Sequence, residues 1–244
     1  EGISVSDAIR SRRSHRHYLP DPIPTHTLDR VLELTLEAPS AWNYQGRSIV
    51  VVSDPDVRAG LEAATGGQPH PREAPVVLVF LAEMDAWRRD NHDVFHSARR
   101  SGAWSEQFIA GSAESSRTFQ QDLLERGLER EYAVKDAVIA ASFAMLAATE
   151  QGLACSPMNG WDETQVKKVV GVDDRTDIAV ALLLPLGFAA EERRHPGRRP
   201  VSSSVMNALV QVAGIIDEAE AQMLCEAGDF GDRLFGTVHV GAVL

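Results

Sequence analysis

The chain has 244 residues, 44% hydrophobic and 24% charged, with two cysteines and a formal net charge of −11. That length suits one large domain or two small ones with a sizeable core, and the negative charge argues against a protein that coats nucleic acid or an anionic membrane. No apolar run approaches the roughly 20 residues of a membrane span, residues 1–11 lack an apolar signal core, and Cys155 and Cys225 have no metal-ligand or CxxC spacing, so the expectation is a cytoplasmic protein without a metal site or disulfide framework.

Val5 and Ile9, with a start at Ser6-Asp7, predict a short opening helix that PDPIP at residues 20–24 ends. Thr27 is expected to cap a second helix, where Leu28, Val31, Leu32 and Leu36 follow the 3.6-residue period. Pro39 stops it, because the residue before a proline disfavours helical backbone. SIVVVS at 48–53 reads as a buried strand, Asp54-Pro55-Asp56 as the start of a short helix, and APVVLVFLAE at 74–83 as a second buried strand. Residues 84–130 are polar, carry Trp87 and Trp104, and read as helical excursions covering a pocket. Residues 132–151 predict the strongest helix, apolar on nearly every face, which marks a central helix packed at or near an interface. LACSPMNG follows as strand and loop, Asp162 caps a helix ending at Gly171, and DIAVALLLPLGF at 177–188 is a core strand. Strands alternating with helices place the chain in the α+β or α/β class with a central sheet. The division expected is 1–204 for the folded domain and 205–244 for a C-terminal extension. Its ALVQVAGII and TVHVGAVL stretches are suited to wrapping a neighbouring subunit.

Four segments carry candidate chemistry. RRSHRHY gathers Arg12, Arg13, Ser14 and Arg16 at a helix end, a dense donor set for a phosphate monoester, unless it is a solvated basic patch. APSAWNYQ at 38–45 offers backbone amides and the Asn43 amide to a planar heterocycle, unless it is an ordinary helix-to-strand connection. CSPMNGW at 155–161 lies where a buried strand emerges, and Gly160 either lets backbone approach a ligand closely or simply turns the chain. RRHPGRRP at 193–200 returns positive charge, with Arg198 and Arg199 next to the stiffening Pro200.

Taken in this order and spacing, these segments resemble the FMN-dependent nitroreductase family over roughly residues 5–205, with 84–130 matching only as a variable helical region. The resemblance implies an α+β fold with a central mixed sheet flanked by helices, a homodimer, FMN as cofactor, and NADH or NADPH as transient reductant. Arg12, Arg13, Ser14 and Arg16 would hold the FMN phosphate and ribityl chain, with Arg198 or Arg199 closing on the phosphate. Pro39, Ser40, Ala41 and Asn43 would line the flavin ring from the other subunit. Pro157, Met158, Asn159 and Gly160 would face its reactive nitrogen, where the Gly160 N–H stabilises charge on the reduced ring. Many relatives carry an acidic residue at the position of Asn159, and an Asn before the second core strand, where Gln68 stands nearest. There is no Ser/His/Asp order, metal constellation or GxGxxG fingerprint. No side chain is therefore expected as an obligatory acid or base, and the nicotinamide is expected over the flavin rather than in a Rossmann crevice. The activity implied is ping-pong reduction of nitroaromatics, quinones or a similar small acceptor. The alternatives are dehalogenation, enone reduction or flavin breakdown on the same scaffold, or a flavin-binding protein without turnover.

Overall fold

The computed structural model describes residues 3–205. Expectations for the extension beyond Val205, and for Cys225, lie outside the described residues. The chain divides into two compact units, Glu1–His195 and Pro196–Leu244, where the sequence suggested 1–204 and 205–244.

Short-range chemistry sets the helix starts. Helix α1 (Val5–Ser11) is capped by Ser4, whose hydroxyl accepts the Asp7 N–H at 3.1 Å, two residues ahead of the expected start. Helix α2 (Thr25–Leu36) starts after Pro24 with no side-chain cap, so Thr27 sits inside the first turn instead of capping it. Strand β1 (Arg47–Val52) follows, then α3 (Pro55–Ala64), where Asp54 accepts the N–H groups of Asp56 and Val57 at 2.9 and 3.0 Å. After α4 (His70–Glu73) comes strand β2 (Val76–Glu83). The 84–130 excursion contains α5 (His92–Arg100) and α6 (Glu106–Glu125). The central helix α7 spans Glu129–Glu150, followed by β3 (Ala154–Cys155), α8 (Glu163–Val169) capped by Asp162, and β4 (Ile178–Gly187). Helix α9 (Val201–Ser204) belongs to the second unit.

The sheet order is β1-β2-β4-β3. All three ladders are antiparallel, not mixed as expected. The excursion through α3 and α4 returns the chain to the end of the sheet it left, whereas α5–α7 carry it to the opposite end, where β3 starts beside the end of β4. Val52 at the end of β1 faces Val77, and Glu83 at the end of β2 faces Ile178, so each strand runs back beside its neighbour. Among the described residues the parallel component is one isolated bridge, Ser14 with Cys155.

Strands β2 and β4 are buried along their whole length, which is why their sequences are continuous apolar runs rather than alternating ones. Leu78, Phe80, Leu182 and Leu184 pack with Val31 of α2 and the alanines of α7 on one face. Val77, Val79, Leu81 and Leu183 pack with Leu61 of α3 and Val166 of α8 on the other. By length and composition α7 is apolar enough to cross a membrane, where the sequence led us to expect no such run. Its Ala137, Ala140, Ala141, Ala144 and Ala148 are fully buried in the core, and small side chains let the helix seat closely on the sheet. Ile139 and Phe143 on α7 remain exposed. Phe143 joins Ile3, Val5, Leu34 and Leu146 around an open apolar groove of about 430 Å³.

Candidate functional site

The bridge from Ser14 to Cys155, reinforced by the His15 N–H donating to the Cys155 carbonyl at 3.1 Å, brings two of the four segments together. Arg12 donates to the Ser14 hydroxyl at 3.4 Å, and Arg13 donates to the carbonyls of Arg10 and Arg12 at 2.6 and 2.9 Å. Yet the Arg13 Nε is buried without a hydrogen-bond partner, and so is the His15 Nδ1. No carboxylate pairs with Arg12, Arg13 or Arg16 among the described residues, in a chain with 35 Asp and Glu. Clustered guanidinium groups with orphaned donors and no acidic partner are what an anion site requires. Burial, with help from Arg193, holds the His15 pKa below the ordinary histidine value. Burial, assisted by the Arg16 cation, does the same for His70. Both imidazoles are therefore kept neutral beside the arginines. Arg193, which the sequence offered only as part of the 193–200 cluster, is ion-paired to Glu191 and its charge reaches His15. Arg198 and Arg199 fall in the second unit, where the Arg198 guanidinium donates to the Gly197 carbonyl at 2.7 Å.

Downstream of Cys155, the Met158 side chain is buried in the lower core, and its N–H donates to Leu183 O at 2.9 Å. Met158 is thus committed to the fold and acts by placing its neighbours. Pro157 is half-buried, while Asn159 and Gly160 are exposed, and no backbone bond among the described residues engages the Gly160 N–H. A Cβ at Gly160 would meet only the Gln68 Nε2, at 4.0 Å. Gln68 itself is anchored to Thr65 O at 3.1 Å, so it stands beside Gly160.

The loop at 38–45 is held in a strained conformation. Trp42, Asn43 and Gln45 have φ of 54°, 56° and 51°, uncommon for non-glycine residues and costing about 1–3 kcal/mol each. The Ser40 hydroxyl accepts the Gln45 N–H at 2.9 Å, and Asp136 of α7 accepts the Ala41 N–H at 3.0 Å. The Tyr44 and Ser116 hydroxyls hydrogen-bond to each other. Beneath the loop lies Arg47, 8% exposed, donating to the carbonyls of Leu36 and Ala38 at 3.1 and 2.6 Å. Burial lowers the Arg47 pKa, and the nearby Asp136 charge opposes that shift. Burial raises the Asp136 carboxyl above its usual range, countered by the Ala41 N–H and by Arg47.

Within one chain this loop and the arginine segment sit at opposite ends of the sheet. Arg47 pairs across β2 with the start of β4, through Ala82 and Ala179, whereas Cys155 pairs with Leu186. Ala179 to Leu186 is seven residues of strand, about 23 Å. The helix supplies a second ruler: from Asp136, which holds the loop, to Glu150 at the end of α7 is about 21 Å. The structure therefore assembles residues 12–16 with 155–160, and leaves Pro39, Ser40, Ala41 and Asn43 apart from them.

The profile of the Nitroreductase family matches residues 9–188. A Thermus thermophilus protein named NADH dehydrogenase is 33% identical over 204 residues, covering 84% of this chain and 96% of its own length. The Bacillus subtilis protein MhqN, provisionally named an NAD(P)H nitroreductase, is 30% identical over 200 residues, covering 81% and 95%. Among solved structures, a nitroreductase-type protein of Exiguobacterium sibiricum in complex with FMN shares the fold with a TM-score of 0.76 at 18% identity, covering 84% and 98%.

Proposed function

This chain belongs to the nitroreductase family, and from that premise we propose that it is an FMN-dependent oxidoreductase that spends NAD(P)H on a small organic acceptor by a ping-pong mechanism in the cytoplasm. The observation that carries the reading is the set of Arg12, Arg13 and Arg16 without acidic partners among the described residues, with the buried Arg13 Nε unsatisfied, bridged through Ser14 to Cys155, from which the chain runs on to the exposed Asn159 and Gly160. A terminal phosphate supplies the acceptors these donors lack. FMN, when bound, provides the ring that takes up a hydride and releases it to the acceptor.

The chain's own residues then have defined tasks. Arg12, Arg13, Ser14 and Arg16 bind the phosphate and ribityl chain, with Arg193 adding charge. Pro157, Asn159 and Gly160 present backbone to the ring, and the unengaged Gly160 N–H is available to negative charge developing there. Gln68, beside Gly160, adds a side-chain amide.

Pro39, Ser40, Ala41 and Asn43 cover the ring from a second copy of the chain. The separation of about 20 Å between the loop and Cys155 of its own chain supports this, by the strand and the helix rulers alike. The apolar groove and the exposed Ile139 and Phe143 give the two copies a surface to share.

The test is spectroscopic. Purified full-length chain is expected to be yellow or to take up FMN stoichiometrically, and to bleach when NAD(P)H is added anaerobically. Steady-state rates with a quinone acceptor should give parallel double-reciprocal lines. A colourless protein whose fluorescence is unchanged by FMN, and which oxidises no NAD(P)H, would refute the reading.

A further inference from the structure

Tyr44, at the outer end of the strained loop, is also a wall of a cavity of about 260 Å³ built by residues 87–117. That volume lies just below the usual range of roughly 300–1,000 Å³ for ligand pockets and suits a single substituted ring. The other aromatic walls are Trp87, Phe95 and the His92 imidazole, which stacks on His96 at 5.8 Å. Phe95 is held in place by Trp104, with ring centroids 6.1 Å apart, and Trp104 is in turn edge-on to Phe108 at 5.2 Å. The Tyr44 hydroxyl is tied to Ser116 of α6. Tyr44 and Phe95 are thus each braced by a neighbour, and Arg88 lies over the Trp87 ring at 4.8 Å.

The polar lining is mostly spoken for. Arg89 answers the buried Glu83, with Asp85 3.8 Å away. An Asp90 carboxylate oxygen accepts the His92 N–H at 3.0 Å, and the Asn91 amide donates to the carbonyls of Ala86 and Arg89 at 3.2 and 3.1 Å. Arg117 of α6 makes no hydrogen bond or ion pair among the described residues. An aromatic enclosure with one unanswered guanidinium has the chemistry of a receptor for a flat anion.

We propose that this cavity binds a monocyclic aromatic carboxylate, with its ring among Tyr44, Trp87 and Phe95 and its carboxylate on Arg117, and that Arg117 sets a preference for acidic arenes as acceptors. The acceptor role rests on the oxidoreductase reading, because Tyr44 belongs to the loop that reading places over a partner's flavin. Binding itself does not depend on that reading.

The experiment measures equilibrium binding of 4-nitrobenzoate and uncharged 4-nitrobenzamide to the full-length protein, by dialysis and by quenching of tryptophan fluorescence, without NAD(P)H. The acid is expected to bind more tightly than the amide. Arg117→Ala should lower the acid-to-amide affinity ratio about tenfold, the size of one charge-assisted contact. Arg117→Lys should recover part of the ratio, and Arg30→Ala, a distant exposed arginine, should leave it as in the wild type. Ala113→Phe, which fills the cavity, should weaken both ligands. A ratio unchanged by Arg117→Ala, or a wild-type protein that binds neither arene, overturns the proposal. NAD(P)H oxidation with a quinone reports on the parent reading independently, so failure of either is visible without failure of the other.

Discussion

Ala41 gives its N–H to a carboxylate that burial holds above its ordinary pKa, and that carboxylate lies beside the buried Arg47. Removing the acceptor is more damaging than removing the charge. Asp136→Ala strands a backbone donor under a strained loop and should cost about 1–3 kcal/mol, measured by urea denaturation. Asp136→Asn keeps an oxygen for Ala41, and Arg47 keeps its two carbonyl partners, so its loss should be clearly smaller. Equal losses would show that the charge, not the hydrogen bond, holds the loop. At the arginine segment, Arg13→Ala together with Arg16→Ala is expected to weaken FMN binding about a hundredfold, allowing for imperfect additivity. The paired Arg126 and Arg30 serve as controls, and an unchanged titration curve in the folded double variant would move the phosphate elsewhere. His15 and His70 predict the acid limit. Their folded pKa values are lowered by burial, so the unfolded chain takes up protons first as pH falls through about 6.5. Their neutral forms carry full stability above that range, and it is lost below it. His15→Gln with His70→Gln should flatten the fall in urea midpoint between pH 7.5 and 5.5.

What could be read from the sequence about the elements depended on how local the cause was. Asp54 and Asp162 announce α3 and α8 because a cap acts within three residues. The apolar runs of β2 and β4 are recognisable because burial on both faces leaves no alternation. The antiparallel order was hidden, since it depends on where the intervening helices deliver the chain. The candidate site divides in the same way. Arg12, Arg13, Ser14 and Arg16 stand together in the sequence and in the structure. Asp136 looks like one more polar residue in an apolar helix, because its partner Ala41 is 95 residues away. Arg193 was read only as part of the 193–200 cluster for the same reason, as its neighbour His15 comes from the opposite end of the unit. Helix α7 shows the two scales meeting. Its alanine face is explained by the core, but Ile139 and Phe143 are not. If they face a second copy, Phe143→Glu should shift light scattering toward monomer and release FMN with it, while a protein that stays dimeric and yellow would free that face of the role.

At the scale of the whole molecule, the two halves of the candidate site are about 20 Å apart in one chain by both the helix and the strand ruler. A site shared between copies makes a prediction that a site within one chain does not. Take one variant defective in the arginines, Arg13→Ala with Arg16→Ala. Take a second defective in the loop, Asn43→Asp, which still tolerates a φ of 56° but replaces an amide donor with a carboxylate. Each alone should bind FMN poorly. Unfolded together and refolded, the two chains should form mixed dimers in which one site inherits both defects and the other inherits none. Random pairing then restores about a quarter of all sites to wild-type composition, by the symmetry of a two-fold dimer. FMN stoichiometry and NAD(P)H oxidation should recover in that proportion. If arginines and loop served the same site within a chain, every site in the mixture would carry one defect, and no mixing ratio would restore either signal. Recovery near a quarter therefore assigns the loop to the partner, and absence of recovery in refolded, dimeric material assigns it to its own chain.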